Sequence, residues 1–257
     1  MSDTVIGVLL AGFLGYLVYD EFHRQKNIVL PRKRLCDYYT AGSVFEDIPT
    51  VLNNGCRLIE LHVYSDEQDQ PVVSKKPLQQ GYDYADDNVT FEQVCIDIGN
   101  LAFPSADPFI LSIVPHTQKT VTFNRMAEIL TTSATRPHLV KGEVSPTTPI
   151  DELKDKIIIV AGGVIAGTEF EKLVNLDWNG SLCRRLSYNQ AVHPRDQPEL
   201  VQFNRHRISL VGPDMYLGKT GINRDTPFAY GCQWNLFSSS WAPHGFCLLY
   251  TSPSPRD

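Results

Sequence analysis

Residues 55–64 read GCRLIELHVY, and the part from 57 to 64 is rich in the aliphatic residues that favour β-strands. We therefore predict a strand there, directly after a glycine. Other apolar runs of similar length follow along the chain. They predict strands over residues 109–114, 157–160, 208–211 and 232–237.

Helical patterns lie between these strands. Thr90 and Gln93 have the spacing of a capping box, and the apolar residues after Thr90 recur at helical spacing. Further helices are predicted over residues 45–54, 121–130 and 199–205. Alternating strands and helices are typical of a parallel sheet with helices outside it. The pattern predicts an α/β protein, either a barrel or a doubly wound sheet.

The composition is that of a folded, slightly acidic protein. Of the 257 residues, 42% are hydrophobic, and acidic residues outnumber basic ones by 29 to 23, for a net charge of -6. This charge argues against a general nucleic-acid-binding protein, which needs a positive field over the phosphates. The 6 cysteines show no CxxC pairing, so we predict thiols in a reducing compartment instead of a zinc site or a disulfide scaffold.

An uncharged run near the N-terminus, VIGVLLAGFLGYLVY, covers residues 5–19. As a helix it spans roughly 22 Å, less than the ~30 Å hydrocarbon core of a bilayer. We predict a short transmembrane helix. A cleaved signal peptide and a buried core helix are the alternatives. Against them, the run lacks a basic start and a small-residue cleavage site, and it is apolar on all sides.

Basic residues follow this run, and none precedes it. By the positive-inside rule, the chain is predicted to be a single-pass membrane protein with its body in the cytosol. The same residues are suited to contact anionic lipid head groups. The short run favours a thin bilayer such as the endoplasmic reticulum. The basic residues are Arg24, Lys26, Arg32, Lys33 and Arg34.

Gly7, Ala11 and Gly15 lie four residues apart and form a stripe of small residues on the predicted anchor helix. Such stripes let two membrane helices pack closely, so an anchor-helix dimer is a further expectation. The same topology predicts that the glycosylation sequons at Asn88 and Asn179 are not used.

The short motifs of P-loop proteins, dinucleotide-binding proteins, α/β-hydrolases and zinc proteases are all missing from the sequence. The segment GCRLIEL, however, resembles a strand of the phosphoinositide-specific phospholipase C family. Other segments resemble further family elements in the same order, over about residues 40–237. These are QPVV at 70–73, PFILSI at 108–113, DELKDKI at 151–157, FNRHRIS at 203–209 and GCQ at 231–233.

The resemblance implies a distorted TIM (β/α) barrel built from two halves, named X and Y, in addition to the N-terminal transmembrane helix. Together with the predicted anchor, it divides the chain into five segments. They are an anchor with a basic linker (1–34), an X-like half (35–162), a linker between the halves (163–186), a Y-like half (187–240) and a tail predicted to be disordered (241–257).

The family's reaction is the calcium-dependent hydrolysis of phosphatidylinositol phosphates to diacylglycerol and inositol phosphates in lipid signalling. One histidine takes the proton of the inositol 2-hydroxyl, and a second gives a proton to the leaving oxygen. Calcium offsets the charge on the phosphate, and lysine and arginine hold the ring phosphates. These groups sit at the C-terminal ends of the barrel strands.

Few of these groups are found when the resemblance is followed position by position. Glu60 matches a calcium-binding glutamate, and its expected aspartate partner on the same strand face is His62. The family's first histidine should lie within residues 27–34, which read NIVLPRKR, and the second falls on Lys75. His116 matches a histidine at the end of the next strand.

The remaining positions lack the family's charged groups. The third calcium ligand falls on Val114, the phosphate-binding lysines fall on Val160 and Gly162, and an Arg–Tyr pair falls on Leu210 and Gly212. Ser187 and Asn204 keep polar side chains and, with Lys75 and Lys76, are the candidate ligand-binding residues.

Three hypotheses follow. The first is a catalytically impaired pseudoenzyme without bound calcium, acting by binding lipids or by scaffolding. The second is an active lipid phosphodiesterase in which His62 and His116 supply acid–base catalysis and Glu60 orients one of them or holds a metal. The third is a divergent or incomplete gene model, because family members usually continue into a C2 domain.

Overall fold

The computed structural model describes residues 33–44, 46–74, 88–214, 225–238 and 248–249. The elements below belong to one compact unit that begins at Arg34. The strands are β1 (Tyr39–Val44), β2 (Leu58–Ser65), β3 (Pro71–Val73), β4 (Val89–Thr90), β5 (Phe109–Pro115), β6 (Ile157–Ala161), β7 (Leu176–Asp177), β8 (Cys183–Ser187), β9 (Ile208–Gly212), β10 (Trp234–Ser238) and β11 (Leu248–Leu249). The α-helices are α1 (Ile48–Asn53), α2 (Phe91–Leu101), α3 (Thr120–Thr132), α4 (Tyr188–Val192), α5 (Gln197–Asn204) and α6 (Asp225–Ala229). Short 3₁₀-helices cover Leu35–Asp37, Arg136–His138, Ile150–Leu153 and Glu171–Leu173.

A nearly closed parallel barrel forms the centre of the fold. Neighbouring strands follow the order β7-β6-β5-β2-β1-β10-β9-β8, and each pair along this path is parallel. The barrel strands therefore go round in chain order and close where β1 pairs with β10. Of the two arrangements that alternating strands and helices allow, the chain adopts the distorted TIM barrel.

The two ends of the path are β7 and β8, and no backbone ladder joins these two strands among the described residues. We call the junction between them the barrel seam. It lies within residues 163–186, the segment expected from the sequence to be a linker. That segment contains β7 and most of β8, so it contributes to the barrel wall.

Side chains alternate between the inside and the outside of the barrel, as they must along any strand. Leu58, Ile110, Ile158, Leu210 and Trp234 belong to a buried cluster that fills the inside. The outward-facing residues of β2, β5 and β6 pack against α2 and α3 in a larger cluster. These two layers bury the apolar runs from which the strands were predicted.

The predicted elements occur with small shifts of their ends. The helix predicted at 45–54 begins at Ile48, because the Asp47 side chain accepts a hydrogen bond from the Thr50 amide at 3.1 Å and caps it there. Thr90 caps α2 in the predicted way, with 3.2 Å from its Oγ1 to the Gln93 nitrogen. Gln93 donates instead to Asp97 at 2.9 Å, which the capping-box prediction missed.

Several sequence predictions lie outside the described residues. They are the anchor helix with Gly7, Ala11 and Gly15, the Lys75–Lys76 pair, and most of the tail. Within the described ranges, no helix is long and apolar enough to cross a membrane. In the tail, β11 pairs antiparallel with the start of β1, where disorder was expected. The 5 described cysteines are buried thiols.

Candidate functional site

Polar side chains meet inside the barrel toward the C-terminal ends of its strands, where TIM-barrel sites lie. Glu60 and His62 come from β2, Ser112 from β5, and Arg185 from β8, while His116 directly follows β5. We call these five residues the Glu60 cluster. Glu60 and Ser112 stand opposite each other in the parallel register of β2 and β5. The sheet register therefore positions the centre of the cluster.

Donors of the chain itself surround the Glu60 carboxylate. Its Oε1 accepts from Arg185 Nη2 at 2.7 Å and from His62 Nε2 at 3.3 Å. Its Oε2 accepts from Arg185 Nε at 3.1 Å and from Ser112 Oγ at 2.9 Å. The Glu60 side chain is 0% exposed. Both oxygens of this buried carboxylate are thus fully engaged.

Glu60 and Arg185 stay charged despite their burial. Burial by itself would raise the pKa of Glu60, but the hydrogen bond from His62 and the charge of Arg185 outweigh it and lower the pKa to about 2. Burial would lower the pKa of Arg185, and the carboxylate of Glu60 raises it instead. The pair is therefore an ion pair at neutral pH.

The two histidines of the cluster are hydrogen-bonded to each other, with 2.8 Å between His62 Nδ1 and His116 Nε2. An ionised Glu60 can only accept, so His62 carries a proton on Nε2. With both rings neutral, His62 Nδ1 is the acceptor, and His116 Nε2 must be the donor. His116 then keeps a lone pair on Nδ1, the form that a general base needs.

The surroundings of His116 disfavour its protonation. Its ring stacks on Tyr64, with the ring centroids 4.4 Å apart. Burial, followed by the neighbouring His62, lowers the pKa of His116 from 6.5 to about 4. His116 is consequently neutral over the physiological pH range.

This depressed pKa predicts a pH-dependent stability. Between about pH 6.5 and about pH 4 the unfolded chain binds a proton at His116 that the folded chain does not, so stability falls as the pH falls. We expect a His116→Gln variant to show a flatter fall of the melting temperature over this range. Thermal unfolding at stepped pH tests this. Equal slopes for both proteins would contradict the assignment to His116.

Two glycines line the mouth of the barrel where the family resemblance places a lysine and a tyrosine. A Cβ on Gly162 would lie 2.1 Å from Trp178 Nε1, and a Cβ on Gly212 would lie 2.4 Å from Arg185 Nη2. Trp178 and Arg185 lie on either side of the barrel seam, and the guanidinium carbon is 5.9 Å from the centroid of the Trp178 ring. These two side chains fill the space next to both glycines.

The described residues do not fit the calcium ion of the family. Calcium takes about six to eight oxygen ligands. In the described part of the chain, no three His, Cys, Asp or Glu side chains have an arrangement that could hold a metal ion; Glu60, His62 and His116 are hydrogen-bonded to one another instead. Glu60, the matching ligand position, binds Arg185 instead. His62 and Val114 stand where the resemblance expects acidic ligands.

The structure brings three of the predicted site residues together, namely Glu60, His62 and His116. Ser187 ends β8, and its Oγ caps α4 by accepting from the Gln190 amide at 3.2 Å. Asn204 is 1% exposed and donates to the Tyr230 carbonyl at 2.9 Å. It therefore lies on the outer side of the barrel wall, away from the Glu60 cluster.

Sequence reasoning missed Ser112, Trp178 and Arg185. Ser112 could have been found as the one polar residue in the buried run FILSIV. Trp178 and Arg185 fall in the segment interpreted as a linker, where β7 has only 2 residues and β8 carries two consecutive arginines. Neither strand has an apolar pattern that the sequence alone would show.

A parallel eight-stranded barrel with a charged cluster at its C-terminal mouth places the protein in the TIM-barrel fold class. The family model "Phosphatidylinositol-specific phospholipase C, X domain" matches residues 35–162, about half of the chain. The chain belongs to the phosphoinositide-specific phospholipase C family. A search of curated proteins gives no match.

Solved structures of phospholipases C share the fold. PLC21 of S. officinalis has 18% sequence identity and a TM-score of 0.65, and PLC21 of L. pealei has 18% and 0.66. Each match covers 80% of this chain and 34% of the PLC21 chain, so this chain spans about a third of their length. A calcium-dependent phosphoinositol-specific phospholipase C of Pseudomonas sp. has 11% identity and a TM-score of 0.50 over 80% of this chain and 90% of its own. At such identities the likeness shows the fold alone.

Proposed function

We propose that this phospholipase C-like barrel binds phosphoinositide head groups, or scaffolds at a membrane, and is impaired in the calcium-dependent hydrolysis of its family. The observation that carries the proposal is the state of Glu60. Its two oxygens accept from Arg185, His62 and Ser112, which leaves no oxygen for a metal ion. Without the calcium ion, the charge that builds on the phosphate during the reaction loses its main partner.

The filled mouth supports the same proposal. Side chains at Gly162 and Gly212 would meet Trp178 and Arg185, so the lysine and the tyrosine of the family have no space at these two positions. The proposal assigns head-group contacts to Lys75 and Lys76 instead, whose ammonium groups are point-charge partners for phosphate. The net charge of -6 argues against nucleic acid as the partner.

The membrane part of the proposal is supported by sequence. The apolar run at 5–19 and the basic residues after it favour a single-pass anchor with the barrel in the cytosol, in a thin bilayer such as the endoplasmic reticulum. The stripe of Gly7, Ala11 and Gly15 would let two anchor helices pair.

A second candidate function is metal-free lipid phosphodiester cleavage. The observation that favours it is the 2.8 Å hydrogen bond between His62 and His116. In this mechanism His116 Nδ1 takes the proton of the inositol 2-hydroxyl as its oxygen attacks phosphorus. The positive charge that then forms on His116 is stabilised by its hydrogen bond to His62, which in turn donates to the Glu60 carboxylate. As the bond between phosphorus and the diacylglycerol oxygen breaks, the protonated His116 gives the same proton to that leaving oxygen, so a cyclic inositol phosphate and diacylglycerol form with no net change in protons.

One experiment separates the two functions. The purified full chain, in vesicles containing phosphatidylinositol or its bisphosphate, is assayed for soluble inositol phosphate with calcium and with chelator. The pseudoenzyme proposal expects no release above that of a His62→Gln/His116→Gln double variant. The metal-free enzyme expects release in chelator that His116→Gln lowers by about 100-fold or more. Calcium-dependent release that Glu60→Gln abolishes would refute both.

The same preparation tests binding and anchoring. We expect co-sedimentation with phosphoinositide vesicles over phosphatidylcholine vesicles, weakened in a Lys75→Gln/Lys76→Gln variant. Membranes of cells that express the full chain should retain it after alkaline carbonate extraction. Equal sedimentation with both vesicle types would remove head-group recognition from the proposal, and extraction by carbonate would remove the anchor.

A further inference from the structure

The ion pair between Glu60 and Arg185 crosses the interior of the barrel. Glu60 lies on β2, and Arg185 lies on β8, with β1, β10 and β9 between them along the wall. Arg185 therefore reaches Glu60 through the inside and not from a neighbouring strand. Because β8 is an end strand of the path, this contact ties one side of the barrel seam to the X-like half.

We propose that Arg185 is the resident cation of this barrel, taking at Glu60 the counter-charge role of a metal ion, so that the mouth takes no divalent cation. The inference deepens the proposed function by naming the charge partner of the same site. Arg185 is a positioning residue here, since it acts through the Glu60 carboxylate.

Geometry supports a built contact. The guanidinium donates from Nη2 to one oxygen and from Nε to the other, at 2.7 Å and 3.1 Å, which is the two-pronged match that planar arginine offers a carboxylate. Ser112 and His62 supply the remaining donors at 2.9 Å and 3.3 Å. A metal ion would have to displace all of these and then lie next to a positive charge.

Among the described residues, Arg185 is the group with a permanent positive charge that contacts Glu60. Besides Arg185, the groups that face Glu60 are Ser112, His62 and, beyond it, His116. None of these carries a fixed positive charge, whereas arginine stays charged at any working pH. Gly212 leaves the space that the guanidinium occupies, because a Cβ there would meet it. Arg185 thus supplies the permanent charge that, with the hydrogen bond from His62, keeps Glu60 ionised.

Arg185→Gln removes the cation and keeps a polar side chain. Glu60 is then buried without its partner, and burial raises its pKa above the unfolded value. A raised carboxyl pKa gives stability that is lost as the pH rises through it, so the variant should weaken toward high pH. We expect its melting temperature to lie roughly 5 °C below that of the wild type near pH 8, and closer to it near pH 5.

Matched variants distinguish charge from packing. Arg184→Gln removes the neighbouring arginine, which faces Glu199 and the Phe203 ring outside the barrel. Any fall in the melting temperature of this variant should be the same at both pH values. Glu60→Gln/Arg185→Gln removes both charges, and its pH dependence should match the wild type. Should Arg185→Gln fail to fold, Arg185→Lys keeps the charge without the fork and should lower the melting temperature equally at both pH values.

Metal response is the second readout, and it requires no ligand or activity. Millimolar calcium chloride and chelator should give the wild type the same melting temperature. A calcium-dependent rise that the Glu60→Gln/Arg185→Gln variant lacks would overturn the inference. So would an Arg185→Gln variant no more pH-dependent than Arg184→Gln. A failure to bind lipid would contradict the proposed function. It would leave the pH and calcium measurements, and the inference about Arg185, unaffected.

Discussion

A Gln233→Leu variant is expected to lose on the order of 4 kcal/mol of unfolding free energy. Gln233 is the last residue of the GCQ motif and is 0% exposed. Its Nε2 donates to the carbonyls of Asn204 and Arg207 at 2.7 Å and 2.9 Å. Its Oε1 accepts from the Ser209 amide at 3.0 Å. Leucine would leave these buried backbone groups without a partner, and each such group costs about 1–3 kcal/mol.

Urea unfolding of the two proteins measures this loss. Gln202→Leu makes the same chemical change at an exposed position of α5, and its stability should stay within about 0.5 kcal/mol of the wild type. A Gln233→Leu protein as stable as Gln202→Leu would show that the motif does not hold β9 and β10 to the turn after α5.

Returning the family's lysine in a Gly162→Lys variant is expected to destabilise the protein by about 3 kcal/mol. The new Cβ would lie 2.1 Å from Trp178 Nε1, so the indole must leave its place. The indole is a rigid ring, and moving it also disturbs Arg185. The variant should therefore lose stability without regaining the chemistry of the family.

Urea unfolding and tryptophan emission test this second expectation. A double variant, Gly162→Lys with Trp178→Ala, should be more stable than the sum of the two single losses predicts, because the clash is gone. Additive losses, or a Gly162→Lys protein with unchanged stability and emission, would show that Trp178 does not occupy the position of the lysine.

The barrel could be predicted because its strands carry the signal in their own composition. The runs around Leu58, Ile110, Ile158 and Ile208 are apolar on both faces, since one face fills the barrel and the other meets the helices. β7 and β8 lack this signal. β7 has only 2 residues and β8 reads CRRLS, so neither contains the apolar run by which a buried strand is recognised in a sequence.

The candidate site was predictable in part for a related reason. Glu60, His62 and His116 lie next to apolar strand residues, so the resemblance placed them on the right strands. The partner of Glu60 comes from β8, 125 positions away in sequence. A contact of that separation depends on how the barrel closes. The sequence therefore suggested a metal ligand where the structure has an ion pair.

In the described part of the chain, the barrel seam is the one junction of the barrel wall without a backbone ladder. Every other junction between neighbouring barrel strands is a backbone ladder, and separating those strands would cost several hydrogen bonds. At the barrel seam, residues 178–182 connect β7 to β8 without a backbone ladder among the described residues, and the ion pair between Arg185 and Glu60 holds β8 to β2 across the interior. Among the junctions of the described barrel strands, the seam is therefore the one with no backbone ladder to break. The same ion pair sets the charge of the mouth, so one contact contributes both to the electrostatics of the site and to the attachment of β8 to the rest of the barrel.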